Sequence, residues 1–376
     1  MKKKYRFGTI LLFILALYGI PVSFFVMKDK DFSETENRYL SQKPAFSWEN
    51  VVSGKYMQDV EKYINDQFPM RNTWISFKSD FLQNVGYREV NSVYLGDDDY
   101  LIEKWIDSDF DEKQLQKNID AVNTFTQKHS EKKISVMLVP TAGMIYKDKL
   151  PPYASMFDQQ VVSDAVKEQL SDAVYIDLIP LFLSHNTEDL YYKTDHHWTT
   201  KGAFLAYSEW CSGSGILTQE SDFTESIVTT EFQGSLYSRV LGNHCAKDEI
   251  ELYKRKNEID YQVEYNFGNI HSNSVYAMEH LQKKDKYQMF LDGNHPEIAI
   301  STSQRNNKHL LVIKDSFANA FVPFMLNDYE TIHIIDLRYY NGNIDNYILE
   351  NGINECLILY NVKNFCEDKN ISEIGK

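Results

Sequence analysis

Apolar positions recur along this chain at helical spacing in some segments and in strand-like runs in others. From residue 55, KYMQDVEKYINDQF sets Met57, Val60, Tyr63, Ile64 and Phe68 close to the 3–4 spacing of one helical face. Trp74, Phe77, Phe81 and Leu82 continue the stripe, which predicts a helical collar over 28–85. SVYLGDDDYLIEK follows, two short apolar runs about a turn of Gly96 and three aspartates, the pattern of a hairpin. Beyond it helix and strand patterns alternate. QLQKNIDAVNTFTQKH puts Leu115, Ile119, Val122 and Phe125 on one helical face, and KKISVMLVPT is a short, nearly continuous apolar strand. VVSDAVKEQL is helical again, and AVYIDLI is a second strand.

That rhythm is βαβ and predicts an α/β domain: a mostly parallel sheet with helices on its faces, over 86–376. Residues 226–303 break the rhythm with alternating polarity and many Tyr and Thr (SIVTTEFQGSLYSRV, DEIELYKRK, DYQVEYNF, PEIAIST), which predicts a β-rich insertion. KHLLVIKDSFANAFVPFML, TIHIIDLRYY and ECLILYNVKNF then resume the α/β pattern. No internal repeat is visible, so a solenoid has no support.

The amino terminus carries a different signal. Lys2, Lys3, Lys4 and Arg6 precede about 21 mostly apolar residues from Phe7 to Met27, long enough to span a bilayer. The cations lie ahead of the run, which predicts a membrane anchor over 1–27, single-pass, with residues 28–376 outside the cytoplasm. A cleaved signal peptide is the alternative, and no A-x-A-like site follows the run. Gly19 and Pro21 weaken the helix without excluding it.

Composition narrows the partners. A net charge of −15 argues against nucleic acid or anionic lipid, both of which need a basic surface. Cys211, Cys245, Cys356 and Cys366 show no zinc spacing; 356 with 366 or 211 with 245 would be the disulfides that an extracytoplasmic setting permits, beside the reading of four small buried residues.

The candidate chemistry lies in YYKTDHHWTTKGAF, residues 191–204. In an extended approach to a helix, Asp195 and His197 project to one side while His196 and Trp198 project to the other. Thr199 or Thr200 can cap the helix that follows, with Ala203, Phe204, Tyr207 and Trp210 as its apolar stripe. Asp195 can then hold Nδ1 of His197 and leave Nε2 free as a base. The second half is KHLLVIKDSFANAF: a buried-type strand ends at Asp315 and Ser316, and a helix pattern begins at once, the setting in which open sheets place reactive groups. Ser316 there has the N–H groups of a helix start beside it to stabilise an oxyanion. Taken alone, each segment also reads as a helix cap; together they supply Asp195, His197 and Ser316 as one catalytic set. Asn319, Gly293 and Asn294 are candidates for the substrate pocket, and so is Tyr360 past the last apolar run, although a solvent-facing helix position, a hairpin turn and a partly buried tyrosine account for them equally.

TDHHWT, the later VIKDSFANAF and the FQGSLYS between them resemble the DHHW family of bacterial envelope proteins. That family in turn resembles the SGNH-like domains of alginate and exopolysaccharide O-acetylation proteins. The resemblance covers essentially the whole chain after the anchor. It implies an SGNH-like three-layer α/β/α domain, and a Ser-His-Asp acyl-ester enzyme without a cofactor, most readily an O-acetyltransferase on a cell-surface glycan. A membrane-bound O-acyltransferase would be the acyl donor. Asp195 and His197 precede Ser316, the reverse of the order in SGNH hydrolases, and the early G-D-S block of those hydrolases is absent. Three alternatives stay open: a carbohydrate esterase; a non-catalytic, glycan-binding scaffold using the chain's 25 Tyr, 22 Phe and 5 Trp; and a two-cation phosphoesterase with Asp177 and Asp336 as extra ligands. The last conflicts with the diverging side chains expected of His196 and His197.

Overall fold

The computed structural model describes residues 8–375 except 12, 34, 37, 217, 243 and 244. The chain divides into two compact units, one running up to Val90 and including Ser238–Cys245, the other comprising Asn91–Tyr237 and Ala246–Lys376. The division thus falls at 90/91, not at the 85/86 boundary that the pattern suggests.

Helices Trp48–Val52, Lys55–Asp66 and Arg71–Asn84 make up most of the first unit. Much of the apolar stripe read from the sequence is not covered: Met57, Ile64, Trp74, Phe77 and Phe81 are exposed, while Val60, Tyr63, Phe68 and Leu82 are half-buried. Polar ties organise the unit instead. Buried Asp66 accepts from Arg38 Nη2 at 2.5 Å and Nη1 at 3.0 Å, and from Ser41 N–H at 2.8 Å. The Arg38 guanidinium holds the carboxyl well below its usual range, against the opposing effect of burial.

The apolar run over 7–27 does not form the expected spanning helix among the described residues. A π-helical turn, Leu15–Gly19, is followed by a short α-helix, Ile20–Val26, with Gly19 at its N-cap and Pro21 in its first turn. Pro21 has no N–H to continue an α-helical ladder, which is one cause of such an interruption. No helix is long and apolar enough to cross a membrane among the described residues, and the cationic start of the proposed anchor lies outside them.

In the second unit eight strands, numbered along the chain, form one sheet: β1 Lys133–Val139, β2 Val174–Asp177, β3 Tyr261–Tyr265, β4 Ile270–Ser272, β5 Glu297–Thr302, β6 His309–Lys314, β7 Thr331–Ile335 and β8 Glu355–Asn361. Their order is β4-β3-β5-β7-β6-β8-β1-β2. The five from β7 to β2 run parallel, and β5, β3 and β4 extend them antiparallel. Strands buried on both faces read as unbroken apolar runs, which is why β1, β6 and β8 were legible.

Alternation along these strands feeds two cores. Met137, Val139, Leu310, Val312, Leu357 and Leu359 face one, which is covered by helix Thr200–Ser214 and the turns of 318–325. Ile134, Val136, Leu138, Leu311, Ile313 and Ile358 face the other, under helices Glu112–Lys128, Gln160–Gln169, Ile344–Glu350 and Val362–Glu367. The result is a sheet between two helical layers.

The 226–303 segment is not a separate insertion. Phe223–Phe232 and Asp248–Arg255 form an antiparallel ribbon of their own, but β3, β4 and β5 join the main sheet. The reason is β5: Ile298 and Ile300 enter the first core, and the strand pairs with β7 in register from Glu297↔Ile335 to Ser301↔Thr331. Cys211, Cys356 and Cys366 are buried free thiols, so neither disulfide pairing forms.

Where β6 ends, a cationic side chain is buried. Lys314 Nζ donates to Asn294 Oδ1 at 2.7 Å and Asn319 Oδ1 at 2.8 Å, and lies 3.5 Å from Asp336 Oδ2. Burial pushes Lys314 down to about 8, with Asp336 opposing. Arg338 grips the same carboxylate through Nε at 2.8 Å and Nη2 at 2.6 Å. One carboxylate therefore compensates two cations, one of them fully buried. Asp336→Ala leaves both uncompensated and should cost about 3–5 kcal/mol in urea unfolding, whereas Lys314→Met, which keeps the Asp336–Arg338 pair, should cost less. Equal stabilities for wild type and Asp336→Ala would show that the cluster is not a structural tie.

Candidate active site

The segment that carries Asp195 is a closed loop rather than an extended approach. Tyr191 and Trp198 form an antiparallel bridge, Tyr192 N–H donates to His197 O at 3.2 Å, and Thr199 N–H donates to Leu190 O at 2.9 Å. Inside the loop the Asp248 carboxylate accepts from Lys193 N–H, Thr194 N–H and Thr194 Oγ1 at 2.7, 2.8 and 2.5 Å. Thr199 caps the following helix by accepting from Gly202 N–H at 3.2 Å. A loop so tied fixes its side chains before any substrate arrives.

Asp195 and His197 meet as the D-x-H spacing suggests. Asp195 Oδ1 lies 2.5 Å from His197 Nδ1 and also accepts the His197 backbone N–H at 3.0 Å. Its Oδ2 accepts Ser235 N–H at 2.7 Å. Gly234 lets that segment approach: a Cβ there would run into the Asp195 carboxylate. On the other side, His197 Nε2 is 2.7 Å from Ser316 Oγ.

Ser316 stands on a turn latched from two directions. The Asp315 carboxylate accepts Phe317 N–H at 2.9 Å, Asn361 N–H at 2.8 Å and Asn364 Nδ2 at 2.7 Å, tying the turn to the end of β8. Trp198 Nε1–H donates to Phe317 O at 3.0 Å, and its ring stacks on Phe321. The tryptophan after the histidines thus joins the base loop to the nucleophile turn. A third fixture was not visible in the sequence. Tyr287 stacks on the His197 imidazole at 3.8 Å and 8° between planes, and it comes from a 3-10 turn, Lys286–Met289, with no periodicity to announce it. Gly234 and Ser235 were within the FQGSLYS segment, but nothing in its pattern pointed to Asp195.

Both acid–base partners are buried, and their surroundings act oppositely. Burial by itself would raise Asp195, but the imidazoles of His197 and His196 and the N–H of Ser235 hold it well below the carboxylate range. Burial pushes His197 down to about 4, assisted by His196 and opposed by Asp195. At neutral pH the pair is therefore an ionised Asp195 and a neutral His197, the state in which Nε2 can accept a proton.

The other sequence candidates sit elsewhere. Asn319 is buried, not solvent-facing, and its Oδ1 accepts from Lys314 while its Nδ2 donates to Gly293 O and Asn294 Oδ1, each at 3.2 Å. Gly293 is buried beside that cluster, and Asn294, itself exposed, reaches it through Oδ1. Tyr360 lies in the second core, across the sheet from the triad, so it does not line the pocket. Asp177 caps Ile179 N–H at 3.0 Å and Asp336 is committed to Lys314 and Arg338, so neither joins a metal cluster with Asp195. His196 and His197 do not diverge, however. Their rings lie 3.8 Å apart, and ligand atoms of Asp195, His196 and His197 fall within 4.8 Å of one another. The cause is the bend of the loop, which cancels strict alternation. His196 also lines a cleft enclosing about 30 Å³ with Thr141, Leu236, Phe317, Asn361 and Asn364.

The fold and site define a class: a mixed α/β protein with a Ser-His-Asp relay at the carboxyl end of a central parallel strand. The DHHW protein family model matches residues 86–335, and the chain belongs to that family. Among solved structures it is similar to a DHHW family protein from Eubacterium siraeum, 22% identical, with a TM-score of 0.65 over 76% of this chain and 95% of the other. It is also similar to Bacillus cereus PatB1 with a sulfonyl adduct, 24% identical, with a TM-score of 0.63 over 74% and 97%. The O-acetyltransferase domain of Pseudomonas putida AlgJ is 14% identical, with a TM-score of 0.45 over 76% and 98%. No curated protein matches the chain.

A base held neutral down to about pH 4 gives a pH test of the site. A free histidine, near 6.5, would lose its base form as pH falls from 7 to 6. His197 should keep it, so modification of Ser316 by a sulfonyl fluoride should proceed at a level rate from pH 7 to 5 and fall only as pH drops through about 4. A limb centred near 6.5, measured by mass spectrometry of the modified chain, would show that His197 is not so perturbed.

Proposed function

We propose that this chain is an acyl-ester enzyme that moves a small acyl group, acetyl, onto a hydroxyl of a cell-surface glycan. One observation carries the reading: Asp195, His197 and Ser316 stand in line, with 2.5 Å and 2.7 Å between successive heteroatoms. His197 Nε2 takes the Ser316 proton as Oγ attacks the acyl carbonyl carbon. The C–O bond to the leaving group breaks, and His197 returns the proton to that oxygen. The Ser316 N–H has no hydrogen-bond partner among the described residues and is available to the oxyanion, whereas the Phe317 N–H is committed to Asp315. In the second step an acceptor hydroxyl attacks the acyl-serine by the reverse route.

Likeness to PatB1 is one of fold; the choice of acetyl transfer over hydrolysis rests on the resemblance of TDHHWT and VIKDSFANAF to polysaccharide-modifying proteins, and on a cleft beside the triad whose lining includes the polar side chains of Glu103, Thr141, His196, Asn361 and Asn364. The cation-led apolar start favours an extracytoplasmic site for the reaction, and a membrane-bound O-acyltransferase is the donor of choice.

The full chain, given a chromogenic acetyl ester and candidate glycans, should release chromophore and yield acetylated sugar by mass spectrometry. Ser316→Ala and His197→Ala should each lower the rate by several orders of magnitude with thermal unfolding little changed. Free acetate alone, at a rate indifferent to glycan, would make the enzyme an esterase. A Ser316→Ala variant as active as wild type would exclude this serine, and no turnover at all would leave a binding protein.

A further inference from the structure

Beside the relay lies a second serine–histidine pair. His196 Nδ1 is 2.7 Å from Ser235 Oγ and 3.5 Å from Asp195 Oδ1, while Ser235 N–H is bound to Asp195 Oδ2 at 2.7 Å. Both members therefore hang on the carboxylate that orients His197. Their geometry differs from that of the relay in one respect: His196 is about one-third exposed, at 34% for its side chain, against 8% for His197.

With Nδ1 committed to Ser235, the remaining polar atom of the ring is Nε2, which has no hydrogen-bond partner among the described residues. The ring forms part of the cleft wall with Thr141, Leu236, Phe317, Asn361 and Asn364. The ring is thus held in one orientation and partly exposed, with one polar atom left unpaired among the described residues. The Ser235 hydroxyl can donate to Nδ1 or accept from it, so Nε2 can present an N–H or a lone pair. Either form suits a hydroxyl, which is donor and acceptor at once. Asn364, whose amide nitrogen is given to Asp315, leaves its carbonyl oxygen as a second acceptor. Leu236 and Phe317 back the cleft wall and are themselves buried.

We infer that His196, held by Ser235, is the acceptor-binding group of this site, an inference that rests on the acyl-transfer reading above. In the second step the acceptor hydroxyl hydrogen-bonds His196 Nε2 and attacks the acyl carbon. Its proton goes to His197 Nε2. The bond from the acyl carbon to Ser316 Oγ then breaks, and His197 returns the proton to Oγ. His196 changes no bond; it holds the acceptor oxygen. Water can take the same hydrogen bond but cannot reach Asn364 at the same time, as a sugar with several hydroxyls can, so His196 favours transfer over hydrolysis. Ser235 is a positioning residue that acts through the ring.

The test uses the full chain with p-nitrophenyl acetate as donor and methyl β-glucoside and a chito-oligosaccharide as probe acceptors. The burst of nitrophenol reports acyl-enzyme formation, and the ratio of acetylated sugar to free acetate reports partition. His196→Ala should lower that ratio about tenfold or more and raise the acceptor concentration at half-saturation, the scale of one lost hydrogen bond to a substrate hydroxyl. Its burst should be affected far less than its partition. Ser235→Ala should lower the ratio about threefold, and His196→Gln, which keeps a hydrogen-bonding side chain, should restore part of it. An unchanged ratio in both His196→Ala and Ser235→Ala overturns the inference. So does a wild-type enzyme that forms the acyl-enzyme and passes it only to water on every probe. Absence of a burst in the wild type overturns the acyl-transfer reading itself, which separates the two failures.

Discussion

A carboxylate taken out of water must be neutralised or surrounded by donors, and Asp195 is almost wholly buried. Much of the site's organisation follows from how that requirement is met. One oxygen is taken by His197, through both its ring and its backbone, and the other by the Ser235 N–H. The second contact demands that the 234–235 backbone come close enough to exclude any side chain at Gly234. The first fixes the imidazole so that Nε2 points at Ser316. One buried charge thus recruits the glycine, the backbone donor and the tautomer of the base together.

The nucleophile turn is built on a second buried aspartate with the opposite electrostatic character. Burial raises Asp315, and the amide of Asn364 and the N–H groups of Asn361 and Phe317 only partly offset it. Its hydrogen-bond partners are neutral donors, whereas Asp195 faces two imidazoles. The contrast assigns their work. Asp315 is a clamp that sets the turn against β8, and Asp195 is a counter-charge that can stabilise an imidazolium. Behind them, Lys314 and Asn319 bind the end of β6 to Asn294, so the turn is supported from beneath as well.

What could be read from the sequence was what repeats locally. Ile134 to Val139, Leu310 to Ile313 and Cys356 to Tyr360 announced themselves because strands buried on both faces are continuously apolar. The strand-to-helix junction at Ser316 and the D-x-H spacing were legible for the same reason. The sheet's antiparallel half was not: β5 alternates, as a ribbon strand would, and only its pairing with β7 shows that it extends the main sheet. Nor was Tyr287, whose stacking on His197 is decided by tertiary placement. The alternation rule misled at His196, because a bend tied by Asp248 to Lys193 and Thr194 brings the two imidazoles side by side.

That bend gives the DHHW run a physical sense residue by residue. Asp195 orients His197, and His197 reaches Ser316. Trp198 spans the gap with one hydrogen bond to Phe317 O, which keeps the base loop and the nucleophile turn from drifting apart. Relays of this kind are sensitive to small displacements, since proton transfer needs hydrogen-bond distances at both ends. A buried indole bonded to the backbone next to the serine, and stacked on Phe321, sets that distance with a rigid side chain rather than with a flexible loop. The remaining residue of the run, His196, is partly exposed, and its Nε2 has no hydrogen-bond partner among the described residues. Three of the four side chains thus fix the relay, and the fourth is left partly exposed beside it.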